Sequence, residues 1–198
     1  MRIGVFGGTF DPIHKGHLAA AKAAMECAHL DRVIFVPSAQ PPHRGAAVAP
    51  AEDRLAMSRL AVQGEPGFEV SDVEVRRGGR SYTADTLSEL HRERPSDELF
   101  LVLGWDAARM FRTWHEPDRV SDLASVVIVD RPGLEENASE LAGLGLDPAR
   151  VILCHYPTPD VSGSELRRAL AAGQPVTGHL PAAVERYIAE HHVYGDNR

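Results

Sequence analysis

Short apolar runs alternate along this chain with longer segments of helical pattern. The predicted strands cover residues 2–6, 32–36, 68–75, 99–103, 125–129 and 151–154. Residues 2–6 have the apolar character of a buried strand, whereas residues 68–75 alternate as a strand with one solvated face does. The pattern therefore predicts six strands spread over the whole chain.

The helical segments lie between these strands. Predicted helices cover residues 18–30, 52–62, 83–94, 164–172 and 181–191, and a loop rich in proline and glycine covers residues 38–50. Strands separated by helices predict an α/β fold, in which a doubly wound, mostly parallel sheet carries helices on both faces. Ligands of such folds bind at the carboxyl ends of the strands, near the point where the strand order reverses.

Composition narrows the class of protein. The 198 residues suit a single domain, residues 1–198, with a sizeable core. The formal net charge of -7 argues against a protein that coats nucleic acid, although a local cluster of donors could still bind an anionic substrate. The apolar runs are too short for a membrane span or a signal peptide. Cys27 and Cys154 form no CxxC motif, so we expect reduced thiols in a cytoplasmic protein.

The first candidate site follows the first strand, where the chain reads Gly7-Gly8-Thr9-Phe10-Asp11-Pro12-Ile13-His14-Lys15-Gly16-His17. Glycines allow a sharp turn and the close approach of a phosphate, and the start of a helix offers N–H groups to an anion. His14 and His17 are three residues apart, so both can face the same anion. The glycine spacing matches neither a dinucleotide-binding fingerprint nor a P-loop. A plain turn would also fit these residues, and so would a metal site whose further ligands are not evident nearby.

A second candidate opens a predicted helix near the end of the chain, where the sequence reads Val161-Ser162-Gly163-Ser164-Glu165-Leu166-Arg167. Serines can cap the helix, its first amides can receive a phosphate, and Arg167 can add a forked donor for phosphate oxygens. A capped surface helix would have the same features. The segment is therefore informative mainly together with the first motif.

Taken together, the two motifs resemble the G-x-F-D-P-x-H-x-G-H and I-S-S-T-x-I-R segments of the HxGH nucleotidyltransferase superfamily. Gly163 and Ser164 replace a serine and the threonine of the second segment, so position 163 keeps only its backbone. The resemblance implies a Rossmann-like three-layer fold in which residues 162–194 close the ATP site. It implies catalytic roles for His14, His17 and Arg167. The ATP-binding residues that it implies are Gly7, Gly8, Thr9, Phe10, His14, His17, Gly104, Asp106, Ser162, Ser164 and Arg167.

Further segments resemble the bacterial nicotinate mononucleotide adenylyltransferases, and the resemblance then extends from Gly4 to Tyr194. These segments are Pro41-Pro42-His43-Arg44, Ser81-Tyr82-Thr83-Ala84-Asp85-Thr86-Leu87, Gly104-Trp105-Asp106 and Thr113-Trp114-His115. The substrate-binding residues that this resemblance implies are Ser38, His43, Arg44, Thr83, Trp114 and His115. Position 38 is often asparagine in the family, so Ser38 would be a shorter donor.

The roles implied for these residues agree with their chemistry. Ser38, His43 and Arg44 would meet the substrate phosphate. The aromatic face of Trp114 would stack on the pyridine ring, and Asp106 would accept from ribose hydroxyls. Backbone amides near Thr83 and His115 would take the nicotinate carboxylate.

The activity implied is the transfer of AMP from ATP to nicotinate mononucleotide, giving nicotinate adenine dinucleotide (deamido-NAD) and pyrophosphate in NAD biosynthesis. The attacking phosphate is ionised at neutral pH, so alignment and charge neutralisation take the place of a general base. Mg²⁺ would arrive with ATP and be held mainly by the substrate. ATP and nicotinate mononucleotide are the expected partners, without nucleic acid or membrane, and the sequence leaves open whether the chain forms a homo-oligomer. An enzyme of the same superfamily that uses nicotinamide mononucleotide or phosphopantetheine, or a non-catalytic nucleotide sensor, would carry similar motifs.

Overall fold

The computed structural model describes residues 1–41, 47–130, 141, 143–155 and 161–195. The strands in these residues are β1 (Arg2–Gly8), β2 (Arg32–Pro37), β3 (Phe68–Val70), β4 (Glu98–Gly104), β5 (Ser125–Asp130) and β6 (Val151–His155). They form one sheet in the order β3-β2-β1-β4-β5-β6, and every neighbouring pair is parallel. The chain builds outward from β1 to β3 and then returns to place β4 beside β1. The strand order therefore reverses between β1 and β4.

Helices cover both faces of this sheet. They are α1 (Lys15–Cys27), α2 (Ala51–Val62), α3 (Val73–Arg77), α4 (Thr83–Glu93), α5 (Trp105–Arg109), α6 (Pro117–Leu123), α7 (Gly163–Ala171) and α8 (Ala182–His191). Neighbouring residues of β4 point to opposite faces. Val102 belongs to one buried cluster together with Ala24 of α1, and Leu101 belongs to the other together with Leu87 of α4. The predicted three-layer α/β fold is confirmed.

One predicted strand is wrong beyond its first three residues. β3 ends at Val70, and the chain turns into α3 instead of continuing to residue 75. The Ser71 hydroxyl accepts from the N–H of Val73 over 3.3 Å, and the carbonyl of Asp72 accepts from the N–H of Arg76 over 2.8 Å. Short helices such as α5 and α6 were missed because they are too short to develop a helical period. None of the helices in the described ranges combines the length and apolar character needed to cross a membrane.

The two cysteines are joined, contrary to the prediction of reduced thiols. Cys27 ends α1 and Cys154 lies in β6, and their Cα atoms are 5.9 Å apart in the disulfide. The two residues are 127 positions apart, so no local motif announces the pair. Only the packing of α1 against β6 brings them together. A bridge across so long a loop stabilises the fold mainly by restricting the unfolded chain.

Candidate active site

The two strands that flank the reversal of strand order end in glycines at the same level. Val5 of β1 pairs with Leu101 of β4, and Gly8 and Gly104 each lie three residues further along. The first motif continues from Gly8, and Asp106 follows Gly104 in the first turn of α5. This edge is where open α/β sheets bind ligands. The fold therefore brings the first motif and the segment from Gly104 to Asp106 to the same edge of the sheet.

His14 and His17 stand together at the start of α1. The backbone N–H of His14, the N-cap residue, donates to Nδ1 of His17 over 3.2 Å. The two rings stack with centroids 3.7 Å apart, and the Phe10 ring meets His17 edge to face at 5.0 Å. Because Nδ1 of His17 accepts a hydrogen bond, a neutral His17 carries its proton on Nε2. His17 is thereby oriented as an Nε2 donor.

His14 is buried, and its Nδ1 atom has no hydrogen-bond partner among the residues that the structure describes. Burial, and then the nearby His179, lowers the pKa of the His14 imidazole to about 4. The ring is therefore neutral at pH 7. A buried nitrogen without a partner is costly, and an anionic oxygen bound here would supply the missing partner.

We expect His14 to reduce the stability of the fold as the pH falls from 6.5 to 4. Over this interval the unfolded chain, with a His14 pKa near 6.5, takes up a proton that the folded chain does not bind until about pH 4. The free energy of unfolding therefore falls with falling pH, by up to about 3 kcal/mol. Urea unfolding at pH 7 and pH 4 should show that wild type loses about 3 kcal/mol more than His14→Asn does. Equal losses would mean that folded His14 titrates normally.

The glycine turn between β1 and α1 is shaped by packing as well as by any ligand. A Cβ atom on Gly8 would come within 2.8 Å of the Phe10 ring, so the buried phenylalanine requires this glycine. Gly7 faces open space, where a ligand could approach. Contrary to the prediction, the first N–H group of α1 is not free for a ligand, because Lys15 N–H donates to the carbonyl of His179 over 2.9 Å. The imidazoles are the stronger candidates for anion contacts.

Arg167 of α7 reaches the first motif from 156 positions away. Its Nη1 donates to the carbonyl of Asp11 over 2.7 Å, and its Nη2 donates to the hydroxyl of Ser164 over 3.1 Å. Ser162 caps α7, and its hydroxyl accepts from the N–H of Glu165 at 3.5 Å. Because 29% of the Arg167 side chain is exposed, the guanidinium can also meet a bound anion. The fold thus joins the two motifs.

Position 163 has room for a side chain. A Cβ atom on Gly163 would lie 3.5 Å from Nη1 of Arg167 and 3.6 Å from the carbonyl of Asp11, which are ordinary contact distances. Packing therefore does not require the glycine. The Cβ atom of the serine that the related segment has at this position would therefore meet no close contact.

A buried network around Asp11 and Arg54 was not predicted from the sequence. The Asp11 carboxylate accepts from the N–H groups of Val48 over 2.8 Å and Ala49 over 3.1 Å. Arg54 is only 1% exposed and donates to three loop carbonyls, those of Thr9, Ala39 and Ala49. Burial lowers the pKa of Arg54, and the Asp11 carboxylate partly offsets this. The network fixes the loops that follow β1 and β2. The burial of Arg54 could not be predicted, because an arginine in a regular helical pattern looks like an exposed residue.

Ser38 lies beside the glycine turn. Its N–H donates to the carbonyl of Gly8 over 2.9 Å, and the next residue, Ala39, donates its N–H to the hydroxyl of Ser81 over 2.8 Å. Ser38 is buried, and its own hydroxyl has no hydrogen-bond partner within the described ranges. This predicted phosphate ligand therefore has a donor to offer.

The segments expected to bind the pyridine nucleotide also meet. Tyr82 and His115 pack with ring centroids 4.2 Å apart, which joins the start of α4 to the 113–115 segment. Thr83 is the first residue of α4, where N–H groups lack partners within the helix. Trp114 is half-buried and lies 5.5 Å from the ring of Phe111. The start of α4 and the 113–115 segment therefore lie next to each other.

The remaining predicted ligands are less informative. His43 and Arg44 lie outside the described residues. Asp106 is exposed at the start of α5.

In the part of the chain that the structure describes, no group of three or more His, Cys, Asp or Glu side chains is placed to hold a metal ion. The histidine pair at α1 has no third such ligand there.

Comparisons with known proteins lead to one family. The Cytidylyltransferase-like family model matches residues 5–169. The "probable nicotinate-nucleotide adenylyltransferase" of Thermus thermophilus is 48% identical over 98% of this chain and 100% of its own. That of Thermomicrobium roseum is 44% identical over 98% of this chain and 91% of its own. A solved structure, "Plasmodium falciparum nicotinic acid mononucleotide adenylyltransferase complexed with NaAD", matches with a TM-score of 0.80 at 17% identity, covering 98% of this chain and 97% of that chain. At such low identity the match concerns the fold.

Proposed function

The chain belongs to the cytidylyltransferase-like family, with relatives named nicotinate-nucleotide adenylyltransferase, and we propose from this that it transfers the adenylyl group of ATP to nicotinate mononucleotide. The products are nicotinate adenine dinucleotide and pyrophosphate, in a step of NAD biosynthesis. One observation carries the function to this site. Arg167 donates to Asp11 next to the stacked His14 and His17, at the point where the strand order reverses.

On the ATP side, the donors are held in place before the nucleotide arrives. His17 would donate from Nε2, and Nδ1 of His14, which has no partner in the described part of the chain, would gain a phosphate oxygen. Arg167 would offset charge on the departing pyrophosphate. Preorganised donors of this kind need little rearrangement in the transition state. The other ATP contacts that we assign are Gly7, Gly8, Thr9, Phe10, Gly104, Asp106, Ser162 and Ser164.

On the acceptor side, Trp114 would stack on the pyridinium ring. The backbone amides of Thr83 and His115 would hold the carboxylate, which is favoured further by the positive end of the α4 dipole. The hydroxyl of Ser38, which has no partner among the described residues, would donate to the 5′-phosphate together with His43 and Arg44.

The reaction forms one bond and breaks one. A 5′-phosphate oxygen of nicotinate mononucleotide bonds to the α-phosphorus of ATP, while the bond from that phosphorus to the bridging oxygen of the β-phosphate breaks. The bonding electron pair leaves with pyrophosphate. The nucleophile is already ionised at pH 7, so the side chains align the two phosphates and offset their charge without removing a proton.

We also propose that Mg²⁺ accompanies ATP. The described residues contain no cluster of three or more candidate ligands, so the available donors suit an ion held mainly by phosphate oxygens and water. When bound, the ion would offset negative charge on the phosphates.

Two broader proposals follow from the same contacts. Residues 1–198 would act as one domain with residues 162–194 closing the ATP site, because Arg167 and Tyr194 both bond to Asp11. The enzyme would work in the cytoplasm, where ATP is supplied. The exposed Cys27 would then meet cellular reductants, and the disulfide would be open to reduction there.

The proposed function is tested by incubating the protein with ATP, Mg²⁺ and nicotinate mononucleotide. Pyrophosphate and nicotinate adenine dinucleotide should appear in equal amounts. Turnover with nicotinamide mononucleotide or phosphopantetheine in place of nicotinate mononucleotide, and none with nicotinate mononucleotide itself, would assign a different acceptor. ATP binding without turnover of any of the three would indicate a nucleotide sensor.

Replacing Arg167 by lysine should lower kcat/KM for ATP by about tenfold or more, because a point charge cannot keep both bonds of the planar guanidinium. The next residue of α7, Arg168, is the matched control, since 78% of its side chain is exposed and it lies 4.0 Å from Glu165. Arg168→Lys should stay within about twofold of wild type. Steady-state kinetics with varied ATP compares the two, and equal activity of both variants would remove Arg167 from the site.

A further inference from the structure

Tyr194 makes a hydrogen bond directly to the first motif. Its hydroxyl donates to Oδ1 of Asp11 over 2.7 Å, although the two residues are 183 positions apart. Tyr194 is only 5% exposed. Burial, and then the bond to the Asp11 carboxylate, raises the pKa of Tyr194 above its usual range. The hydroxyl therefore keeps its proton and remains the donor.

Asp11 also contacts several other parts of the site. Its carboxylate accepts from the N–H groups of Val48 and Ala49, its carbonyl accepts from Arg167, and Nε of Arg167 lies 3.9 Å from Oδ2. Without the Tyr194 hydroxyl, the one bond left to Oδ1 from the described residues would be the longer one from the N–H of Ala49, at 3.1 Å. The carboxylate would then be freer to turn toward Arg167, because an underbonded buried oxygen seeks another partner.

We propose that Tyr194 is a positioning residue for adenylyl transfer, which through Asp11 sets where Arg167 and the turn before His14 stand when ATP binds. The inference rests on the proposed function of this site. Tyr194 touches neither reacting group in this arrangement, and its effect passes through the Asp11 carboxylate. The hydrogen bond of Tyr194 is made to the first motif itself, whereas a hydrogen bond that only stabilised the fold could be made to any other part of the protein.

Tyr187 is a matched control for this bond. It lies in α8, in the same C-terminal segment, and its hydroxyl donates to Oδ1 of Asp53 over 2.8 Å. Asp53 belongs to the first turn of α2 and not to either motif. Both tyrosines therefore donate one hydrogen bond to an aspartate, but only Tyr194 donates to the candidate site.

The experiment compares Tyr194→Phe with Tyr187→Phe by thermal unfolding and by steady-state kinetics with varied ATP. Tyr194→Phe should raise KM for ATP and lower kcat/KM for ATP by about tenfold, whereas Tyr187→Phe should stay within about twofold of wild type. A smaller folded fraction would lower kcat but leave KM for ATP unchanged, so a change in KM marks positioning. A wild-type KM for ATP in folded Tyr194→Phe would overturn the proposal.

Two further measurements keep the test decisive. Combined with Arg167→Lys, Tyr194→Phe should lower kcat/KM by less than the product of the separate effects, because both act on one contact; independent effects would contradict the proposal. If Tyr194→Phe does not fold, Asp11→Asn replaces it in the test. This variant keeps an acceptor but loses the charge facing Arg167, so it should raise KM for ATP. An unchanged KM for ATP would overturn the proposal. If wild type transfers no adenylyl group, the proposed function fails, and calorimetric ATP affinity of the same variants still tests Tyr194.

Discussion

Replacing His17 by alanine should lower kcat by about 10²-fold or more while the protein stays folded. The bond from the His14 N–H to Nδ1 fixes His17 as an Nε2 donor, and the rings of His14 and Phe10 hold it in place. The transition state spreads negative charge over the phosphate oxygens, so a donor aimed at that charge contributes more there than in the bound ground state. The loss should therefore appear in kcat.

A second variant separates the donor from its structural support. His17→Asn keeps a side-chain acceptor for the His14 N–H but has no donor at the reach of Nε2, so it should lose nearly as much activity as His17→Ala. His91→Ala is the control, because His91 is exposed in the last turn of α4. Turnover is measured at saturating ATP and nicotinate mononucleotide, with melting temperatures to verify folding. Near-normal turnover in folded His17→Ala would falsify the role of His17.

The enzyme should prefer the acid to the amide of the pyridine nucleotide by about 10²-fold or more in kcat/KM. The structure brings Thr83 and His115 together through Tyr82, so their amides can point at the ring substituent. A carboxylate accepts at both oxygens, whereas a carboxamide must turn its NH₂ group toward one of the donors. That leaves unpaired an N–H group that the bound nucleotide would cover, at a cost of about 1–3 kcal/mol, and also removes a charge-assisted bond.

Rates with nicotinate and nicotinamide mononucleotides under the same conditions measure this preference. Trp114→Ala should weaken both substrates and leave their ratio unchanged, because stacking does not distinguish acid from amide. Arg119 lies near the first turn of α4, but it pairs with Asp85 at 3.5 Å and with Glu116 at 2.7 Å. Arg119→Gln should therefore leave the ratio unchanged as well. Equal kcat/KM values for the two wild-type substrates would refute the pocket and leave adenylyl transfer itself standing.

Local sequence signals carried the prediction of the fold and of both motifs. Continuous apolar runs predicted β1, β2, β4, β5 and β6 nearly to their ends, because a strand buried in a parallel sheet needs apolar side chains on both faces. The prediction went wrong where two periods overlap. Over residues 68–75 the alternation suited a strand, yet Ser71 and Asp72 start α3 there with short-range hydrogen bonds. The motif at His14 and His17 was evident because its chemistry lies within eleven consecutive residues.

Only the tertiary structure decided which distant residues contact the first motif and through which atoms. Arg167 and Tyr194 reach Asp11 across 156 and 183 positions, and Arg54 is drawn into the interior by loop carbonyls that no local pattern places beside it. Cys27 and Cys154 looked like separate thiols until α1 packed against β6. The sequence by itself determined the elements and the motif chemistry, since periodicity and capping act within a few residues. The partners of buried polar groups depend on which elements the sheet order makes neighbours, and that order emerges only when the whole chain packs.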